Sequence, residues 1–120
     1  YHPHLGTNVQ SPTQLDKLMP LTTINLCPDT AHIEAGGGDP LEVIRKYVDR
    51  IKYVHLKDYQ NGEFLPLGEG KQKFDQMIKV LEEANYDGWI TVELDSYTNP
   101  RKGAEISRCF LSRYESLNLV

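Results

Sequence analysis

Cysteine, clustered basic charge and long apolar runs are all scarce in this sequence of 120 residues. Its longest apolar runs cover only a few residues, far fewer than the roughly 20 that a membrane-spanning helix needs. No charged segment followed by an apolar one opens the chain, so the sequence shows no signal peptide. We therefore expect a globular protein that has no membrane partner.

The basic residues are neither in excess nor grouped. Lys and Arg number 13 against 17 Asp and Glu, which gives a formal net charge of −4. A surface that binds nucleic acid needs clustered Lys and Arg to replace the counterions of the phosphates. The charge pattern therefore predicts no nucleic-acid partner.

The two cysteines, Cys27 and Cys109, lie far apart in the sequence. Two thiols in a domain without a secretion signal are more typical of reduced, buried side chains than of a disulfide. Cysteine usage therefore predicts a cytoplasmic protein, with Cys27 packed inside the domain.

Short apolar segments alternate with amphipathic ones along the whole chain. The predicted strands lie at residues 1–4, 23–27, 51–56 and 89–94. Each is followed by a predicted helix, and these helices start near Ser11, Asp39, Phe74 and Asn99. Four such β-then-α units imply an α/β fold with parallel strands. They fit an open doubly wound sheet or half of a (β/α)₈ barrel, which takes about 250 residues in full.

Several finer expectations follow from the same pattern. We expect Trp89 in the core, because it starts a strand, and Leu117 on the apolar face of the last helix. Residues 30–38 should form a strand end and a glycine-rich loop. The segment after Lys57, which contains Phe64, should form a long loop.

Each of three predicted strands carries an ionisable side chain near its C-terminal end, and all three lie on the equivalent face of their strand. Because side chains alternate between the faces of a strand, Asp29, His55 and Glu93 all fall on the mixed face, opposite the purely apolar one. His2 and His4 also share a face. Two carboxylates and an imidazole at one mouth would be poorly solvated without a cation between them. Such ligands suit Mn²⁺, Co²⁺, Zn²⁺ or Fe²⁺, whereas a site made for Mg²⁺ alone would prefer oxygen ligands.

Five short motifs occur in an order that resembles a known family. They are Asp29-Thr30-Ala31-His32, His55-Leu56-Lys57-Asp58, Leu67-Gly68-Glu69-Gly70, Tyr86-Asp87-Gly88-Trp89 and Val92-Glu93-Leu94-Asp95. Together they resemble the xylose-isomerase-like TIM barrels, which include the sugar phosphate isomerases and epimerases. Within this family, residues 1–7 and the pair Lys57-Asp58 look most like the inosose dehydratases.

The resemblance implies a fold and a place within it. Residues 1–120 would form a single domain, the C-terminal half of a (β/α)₈ TIM barrel with four parallel βα units that correspond to strands 5–8. The N-terminal half of the barrel would lie outside this sequence.

The resemblance also implies roles for individual residues. The metal ligands would be Asp29, His55 and Glu93. The catalytic residues would be Glu93, His32 and Lys57. Substrate would be bound by His2, His4, His32 and Lys57. Such enzymes usually add a Glu ligand from an earlier strand, but no Glu lies at or before His4. Either His2 or His4 takes that role, or the ligand lies outside the sequence.

The implied function is that of a metal-dependent lyase or isomerase of carbohydrate metabolism. It would act on a polyol or keto-sugar with Mn²⁺ or Co²⁺, or with Zn²⁺, Fe²⁺ or Mg²⁺ as alternatives. The metal would stabilise the enolate formed when an α-proton leaves, which can end in dehydration, epimerisation or isomerisation.

Two other functions compete with this one. An incomplete half-barrel could be non-catalytic and bind a sugar or form homo-oligomers through its two open sheet edges. A related endonuclease family that repairs abasic DNA shares the barrel, but it needs more histidine ligands and a basic face, and neither is evident here.

Overall fold

The computed structural model describes residues 1–120 and contains five α-helices and four short strands. The helices are α1 (Pro12–Leu18), α2 (Thr30–Ala35), α3 (Pro40–Tyr47), α4 (Phe74–Glu83) and α5 (Pro100–Leu111). The strands are β1 (Tyr53–Leu56), β2 (Asp58–Gln60), β3 (Glu63–Leu65) and β4 (Trp89–Val92). Single 3₁₀ turns, Met19–Leu21 and Val48–Arg50, follow α1 and α3.

A parallel arc of four chain segments organises the molecule. β1 lies inside the arc and pairs in parallel with β4, which forms one edge of the arc. Beside β1, the segment before α2 forms parallel bridges from Leu26 to Ile51 and from Asp29 to His55. Beyond that segment, the backbone N–H of Cys27 donates to the carbonyl of Tyr1 at 2.7 Å. The segments therefore lie side by side in chain order and run in one direction.

Two of the four predicted strands are not regular strands in the structure. Residues 1–4 form no regular strand, and residues 23–27 contribute only the bridge at Leu26. Pro3 and Pro28 lie in these segments, and proline lacks the N–H that a ladder of hydrogen bonds needs. The other two predicted strands are present in shortened form as β1 and β4.

The predicted helix starts are confirmed for α1, α3, α4 and α5. Ser11 and Gln14 form a reciprocal capping box at α1. The Asp39 carboxylate accepts the N–H of Leu41 at α3, and the Asn99 side chain accepts the N–H of Lys102 at α5.

Two elements were not expected from the sequence. Residues 30–35 form helix α2 rather than a strand end and loop. The expected long loop contains the antiparallel hairpin β2–β3, whose turn residues Asn61 and Gly62 have φ angles of 54° and 88°. Positive φ at both central residues is the mark of a type I′ hairpin turn, which Asn-Gly favours.

The core lies between the arc and the helices. Leu26, Val54 and Leu56 project from the arc into this layer and are fully or almost fully buried. They pack with apolar residues of α1, α3 and α4 in one cluster of 16 buried residues. The apolar phase predicted for the strands is therefore confirmed for this part of the arc. None of the helices is both long and apolar enough to cross a bilayer.

Three predictions about single residues are wrong. Trp89 is 62% exposed, because β4 is the last strand of the arc and has no neighbour on its outer side. Leu117 lies beyond the end of α5 at Leu111 and packs at the margin of the core. Cys109 is exposed on α5, whereas Cys27 is half-buried, and both thiols are free.

Candidate metal centre

Four side chains that could hold a metal ion converge at the C-terminal ends of the arc segments. One ligand atom each from His2, Asp29, His55 and Glu93 lies within 4.8 Å of the others. The Nδ1 atom of His55 is 2.9 Å from Oε2 of Glu93 and 3.8 Å from Oδ2 of Asp29. Two ligands that bind one ion at about 2.0–2.2 Å lie at most about 4.4 Å apart. The group would therefore need only a small contraction to surround a single ion.

Asp29 holds its carboxylate in place through helix α2. Its Oδ1 atom accepts the backbone N–H of His32 at 3.0 Å and so caps the helix. Its Oδ2 atom is buried and has no hydrogen-bond partner. The only cation near this oxygen is the Lys57 ammonium at 3.3 Å, which it shares with two other carboxylates. Since buried polar atoms are almost always hydrogen-bonded, a carboxylate oxygen that makes no hydrogen bond and faces other potential ligands fits a metal ligand.

The structure distinguishes between the two early histidines. His2 belongs to the ligand group, and His4 lies outside it. The Nδ1 atom of His2 is 3.3 Å from the carbonyl of Cys27, which can only accept, so Nδ1 carries the hydrogen and Nε2 keeps its lone pair. Burial, with His55 second, lowers the pKa of His2, which favours the neutral form that binds metals.

The carboxylates of the group differ in how readily they hold a proton. Burial, followed by the neighbouring Glu93, raises the pKa of Asp29 to about 6. Burial also opposes ionisation of Glu93, but Asp29 and Lys57 outweigh it and lower the pKa of Glu93 to about 2. Of the two, Asp29 is therefore the carboxylate that takes up a proton first as the pH falls, and a bound cation would favour its ionised form.

Lys57 is fully buried beside the ligand group. Its ammonium lies 2.7 Å from Asp95, 3.1 Å from Glu93 and 3.3 Å from Asp29. Burial disfavours its charge, but these three carboxylates outweigh burial and raise the pKa of Lys57. Lys57 is thus a fixed cation at neutral pH, and three carboxylates against one ammonium leave the site with a net charge of −2 when its histidines are neutral.

Two rings cover His32, which is only 2% exposed. The His4 ring lies over it at a centroid distance of 3.7 Å, and Phe64 of β3 packs against it at 5.0 Å. Burial, followed by the Lys57 ammonium 3.2 Å away, lowers the pKa of His32 to about 4. His32 is therefore neutral at neutral pH, and His4 is the more accessible of the two.

Asp58, which follows Lys57 in the motif, faces away from the ligand group and organises a loop. Its carboxylate accepts the backbone N–H groups of Tyr59, Gly68, Gly70 and Gln72. A side chain at Gly70 would meet Oδ1 of Asp58 at 2.2 Å, so the loop closes around the carboxylate. The Gly68-Glu69-Gly70 motif is therefore part of the Asp58 loop.

Asp95 was not among the predicted site residues, although it is the nearest carboxylate to the Lys57 ammonium. Its Oδ2 atom also lies 3.5 Å from Nε2 of His32. Asp95 shares the phase of Glu93 two residues later, and this periodicity is the signal by which the sequence could have included it.

Comparison with known proteins identifies the family. The family description "Xylose isomerase-like TIM barrel" matches residues 1–114. The chain belongs to this family. The inosose dehydratase of Clostridium botulinum (strain Eklund 17B / Type B) is 35% identical over 142 aligned positions, which cover 98% of this chain and 48% of that protein. The inosose dehydratase of Clostridium tetani (strain Massachusetts / E88) is 38% identical over 79% of this chain and 39% of its own length.

Solved structures of two enzymes share the fold of the chain. The probable 3-DHS dehydratase AsbF of Bacillus anthracis superposes with a TM-score of 0.73 at 16% identity, covering 96% of this chain and 48% of that one. The 3-keto-D-glucoside 4-epimerase YcjR of E. coli gives the same TM-score at 16% identity, and the match covers 94% of this chain and 44% of that one. The chain thus spans about half the length of the relatives it matches.

Proposed function

We propose that this chain forms the metal-binding part of a lyase or isomerase that acts on a polyhydroxy ketone. The observation that carries the proposal is the convergence of His2, Asp29, His55 and Glu93, with one buried oxygen of Asp29 that makes no hydrogen bond. Two carboxylates and two imidazoles suit Mn²⁺ or Co²⁺, with Zn²⁺ and Fe²⁺ as alternatives. Mg²⁺ fits less well, because it prefers oxygen ligands.

In this proposal residues 1–120 are one domain that supplies strands 5–8 of a (β/α)₈ barrel. The four parallel segments in chain order and the coverage of about half of each relative support it. Active sites of such barrels lie at the C-terminal ends of the strands, which is where the four ligand residues lie.

A bound divalent ion supplies Lewis acidity, which stabilises negative charge on the ketone oxygen of a substrate. Moving the proton falls to residues of this chain. The Nδ1 atom of His4 lies 2.8 Å from the carbonyl of Leu5, so Nδ1 is the donor and Nε2 is free to accept a proton. Glu93 is ionised and partly exposed, but its pKa of about 2 makes it a weaker proton acceptor than an imidazole, so we assign the proton transfer to His4 first and to Glu93 second. His32 would position His4 from beneath.

Lys57 has a different role in this scheme because it is held in its charged form. Its ammonium can donate to a substrate hydroxyl or to the developing enolate oxygen, but it cannot take a proton. The Phe64 ring lies 5.1 Å from the Lys57 ammonium and shields it from water. Shielding strengthens the interaction between the ammonium and a negatively charged oxygen.

Dehydration and epimerisation begin with the same removal of a proton beside a ketone. Loss of a β-hydroxyl then gives dehydration, whereas return of a proton to the other face gives epimerisation. The names of the curated relatives favour the first outcome on an inosose. The alignment of 142 positions exceeds the 120 residues of the chain, so that relative contains residues in the matched region that this chain lacks. Substrate therefore has to be measured directly.

Calorimetric titration with Mn²⁺ and Co²⁺ tests the proposal. The informative variant is Asp29→Asn, because the amide oxygen can still cap α2 while the anionic ligand is lost. We expect one ion to bind per chain in the wild type and binding to be lost in Asp29→Asn. Asp16→Asn, which removes an exposed carboxylate paired with Lys46, should bind as the wild type does.

A wild type that binds neither ion, or an Asp29→Asn variant that binds both ions unchanged, would rule out this site. Wild-type activity on an inosose or a keto-sugar, absent in Asp29→Asn, would support the reaction class.

A second candidate function is a sugar-binding module that assembles through its open edges. The exposed Trp89 on the unpaired side of β4 favours it, together with a neighbouring groove of about 1610 Å³ that runs from Trp89 past Leu94 to Leu117. Pairing of β4 with residues 1–4 of a second copy would satisfy both edges. Sedimentation should then show a dimer that Trp89→Ser weakens; a monomer at every concentration would reject this assembly.

A further inference from the structure

We propose that Cys27, His2 and His55 form a second, softer metal site that holds a thiophilic divalent cation such as Zn²⁺ or Cd²⁺. One ligand atom from each of these three residues lies within 4.8 Å of the others. This spacing matches that of the carboxylate group, so both sets can close around an ion. Cys27 is half-buried, and its thiol is free.

The backbone of Cys27 also prepares the site. Its carbonyl faces Nδ1 of His2 at 3.3 Å, which leaves Nε2 of His2 with its lone pair. Since Cys27 precedes Asp29 by two residues, the sulfur and the Asp29 carboxylate share one face of the segment. The sulfur and that carboxylate therefore flank the same two imidazoles.

The chemistry of the two sets separates the cations that they select. A thiolate with two imidazoles suits Zn²⁺ and Cd²⁺, whereas carboxylates with imidazoles also suit harder ions such as Mn²⁺. Because both sets need His2 and His55, an ion in one set removes two ligands from the other. A thiophilic cation would thus exclude the ion of the proposed function, and this consequence alone rests on that function.

Titration with Cd²⁺ tests the site directly, because a cadmium–thiolate bond gives a charge-transfer band in the ultraviolet. We expect the band to grow to one equivalent in the wild type and in Cys109→Ser, which removes the exposed thiol on α5. We expect it to be lost in Cys27→Ser and retained in Asp29→Asn, because that variant keeps all three soft ligands.

A second measurement needs no variant. Bound Cd²⁺ should prevent alkylation of Cys27 by iodoacetamide while Cys109 on the same molecule remains reactive, as read by mass spectrometry. Burial raises the pKa of the Cys27 thiol to about 11, so alkylation is compared at a pH high enough for the ion-free protein to react. Absence of the band in the wild type, its persistence in Cys27→Ser, or equal alkylation of Cys27 with and without Cd²⁺ at that pH would overturn the inference. Failure of Mn²⁺ to bind, with the cadmium band intact, would instead contradict the proposed function alone.

Discussion

The Asp58 carboxylate should be a large contributor to stability, and Asp58→Asn is the change that measures it. In the wild type one oxygen accepts the N–H groups of Gly68 and Gly70 at 2.9 and 2.8 Å, and the other accepts Tyr59 at 2.9 Å and Gln72 at 3.4 Å. Asparagine keeps the shape, but one oxygen becomes an NH₂ group. In either orientation that NH₂ group points at two backbone donors.

The expected loss follows from this count of bonds. A hydrogen bond to a charged group contributes about 1.5–3 kcal/mol, so losing two of them costs about 3–6 kcal/mol. The whole folding free energy of a typical domain is only about 5–15 kcal/mol. Asp58→Asn should therefore unfold at a much lower urea concentration than the wild type.

Urea denaturation followed by circular dichroism provides the assay. Asp87→Asn, which changes an exposed carboxylate, serves as the matched control and should stay within about 0.5 kcal/mol of the wild type. A loss of less than about 1 kcal/mol in Asp58→Asn would refute the reasoning, because it would mean that the loop is held by something other than this carboxylate.

Three further predictions follow from neighbouring features. Lys57→Met should bind Mn²⁺ more tightly, because the variant lacks an ammonium that lies within 3.3 Å of the carboxylates of Asp29 and Glu93. It should also lose turnover. Weaker Mn²⁺ binding in calorimetry would contradict this and show that Lys57 holds those ligands in place. Gly70→Ala should lose about 1–3 kcal/mol in urea denaturation, because its new methyl group would overlap the buried carboxylate that the loop encloses; an unchanged midpoint would contradict this. Burial opposes the ionisation of Asp39, but the Lys73 ammonium and the N–H groups of α3 lower its pKa below the usual value. The advantage of the wild type over Asp39→Asn should therefore be complete above about pH 5 and be lost as the pH falls through that lowered pKa, and denaturation at several pH values checks the sign.

The sequence predicted the helix starts and the strand phase well because both depend on local chemistry. Ser11, Asp39 and Asn99 cap helices with their own side chains, so their roles are visible without tertiary structure. The same holds for the two-residue period that places His55 and Glu93 on one face. The irregular edge of the arc could not be predicted from period alone, because it depends on which segment lies next to Pro3 and Pro28.

Other features were missed although the sequence contained a signal for them. Asn61-Gly62 is a strong marker of a hairpin turn, although a long loop is what the segment as a whole predicts. Asp29 followed by Thr30 is a helix cap, but the expectation of a strand end hid this role. The covering of His32 by His4 and Phe64 depends on contacts between distant segments, so only the folded structure reveals it.

Asp29 both caps helix α2 and belongs to the group of candidate metal ligands. Helix α2 has six residues, too few to persist on its own, and the carboxylate that starts it is the one whose second oxygen faces the other ligands. Folding of this short helix holds the Asp29 carboxylate in place through its bond to the N–H of His32. The proposed metal site would therefore be preorganised, and loosening of that helix, even far from His55 and Glu93, should weaken cation binding in the titration.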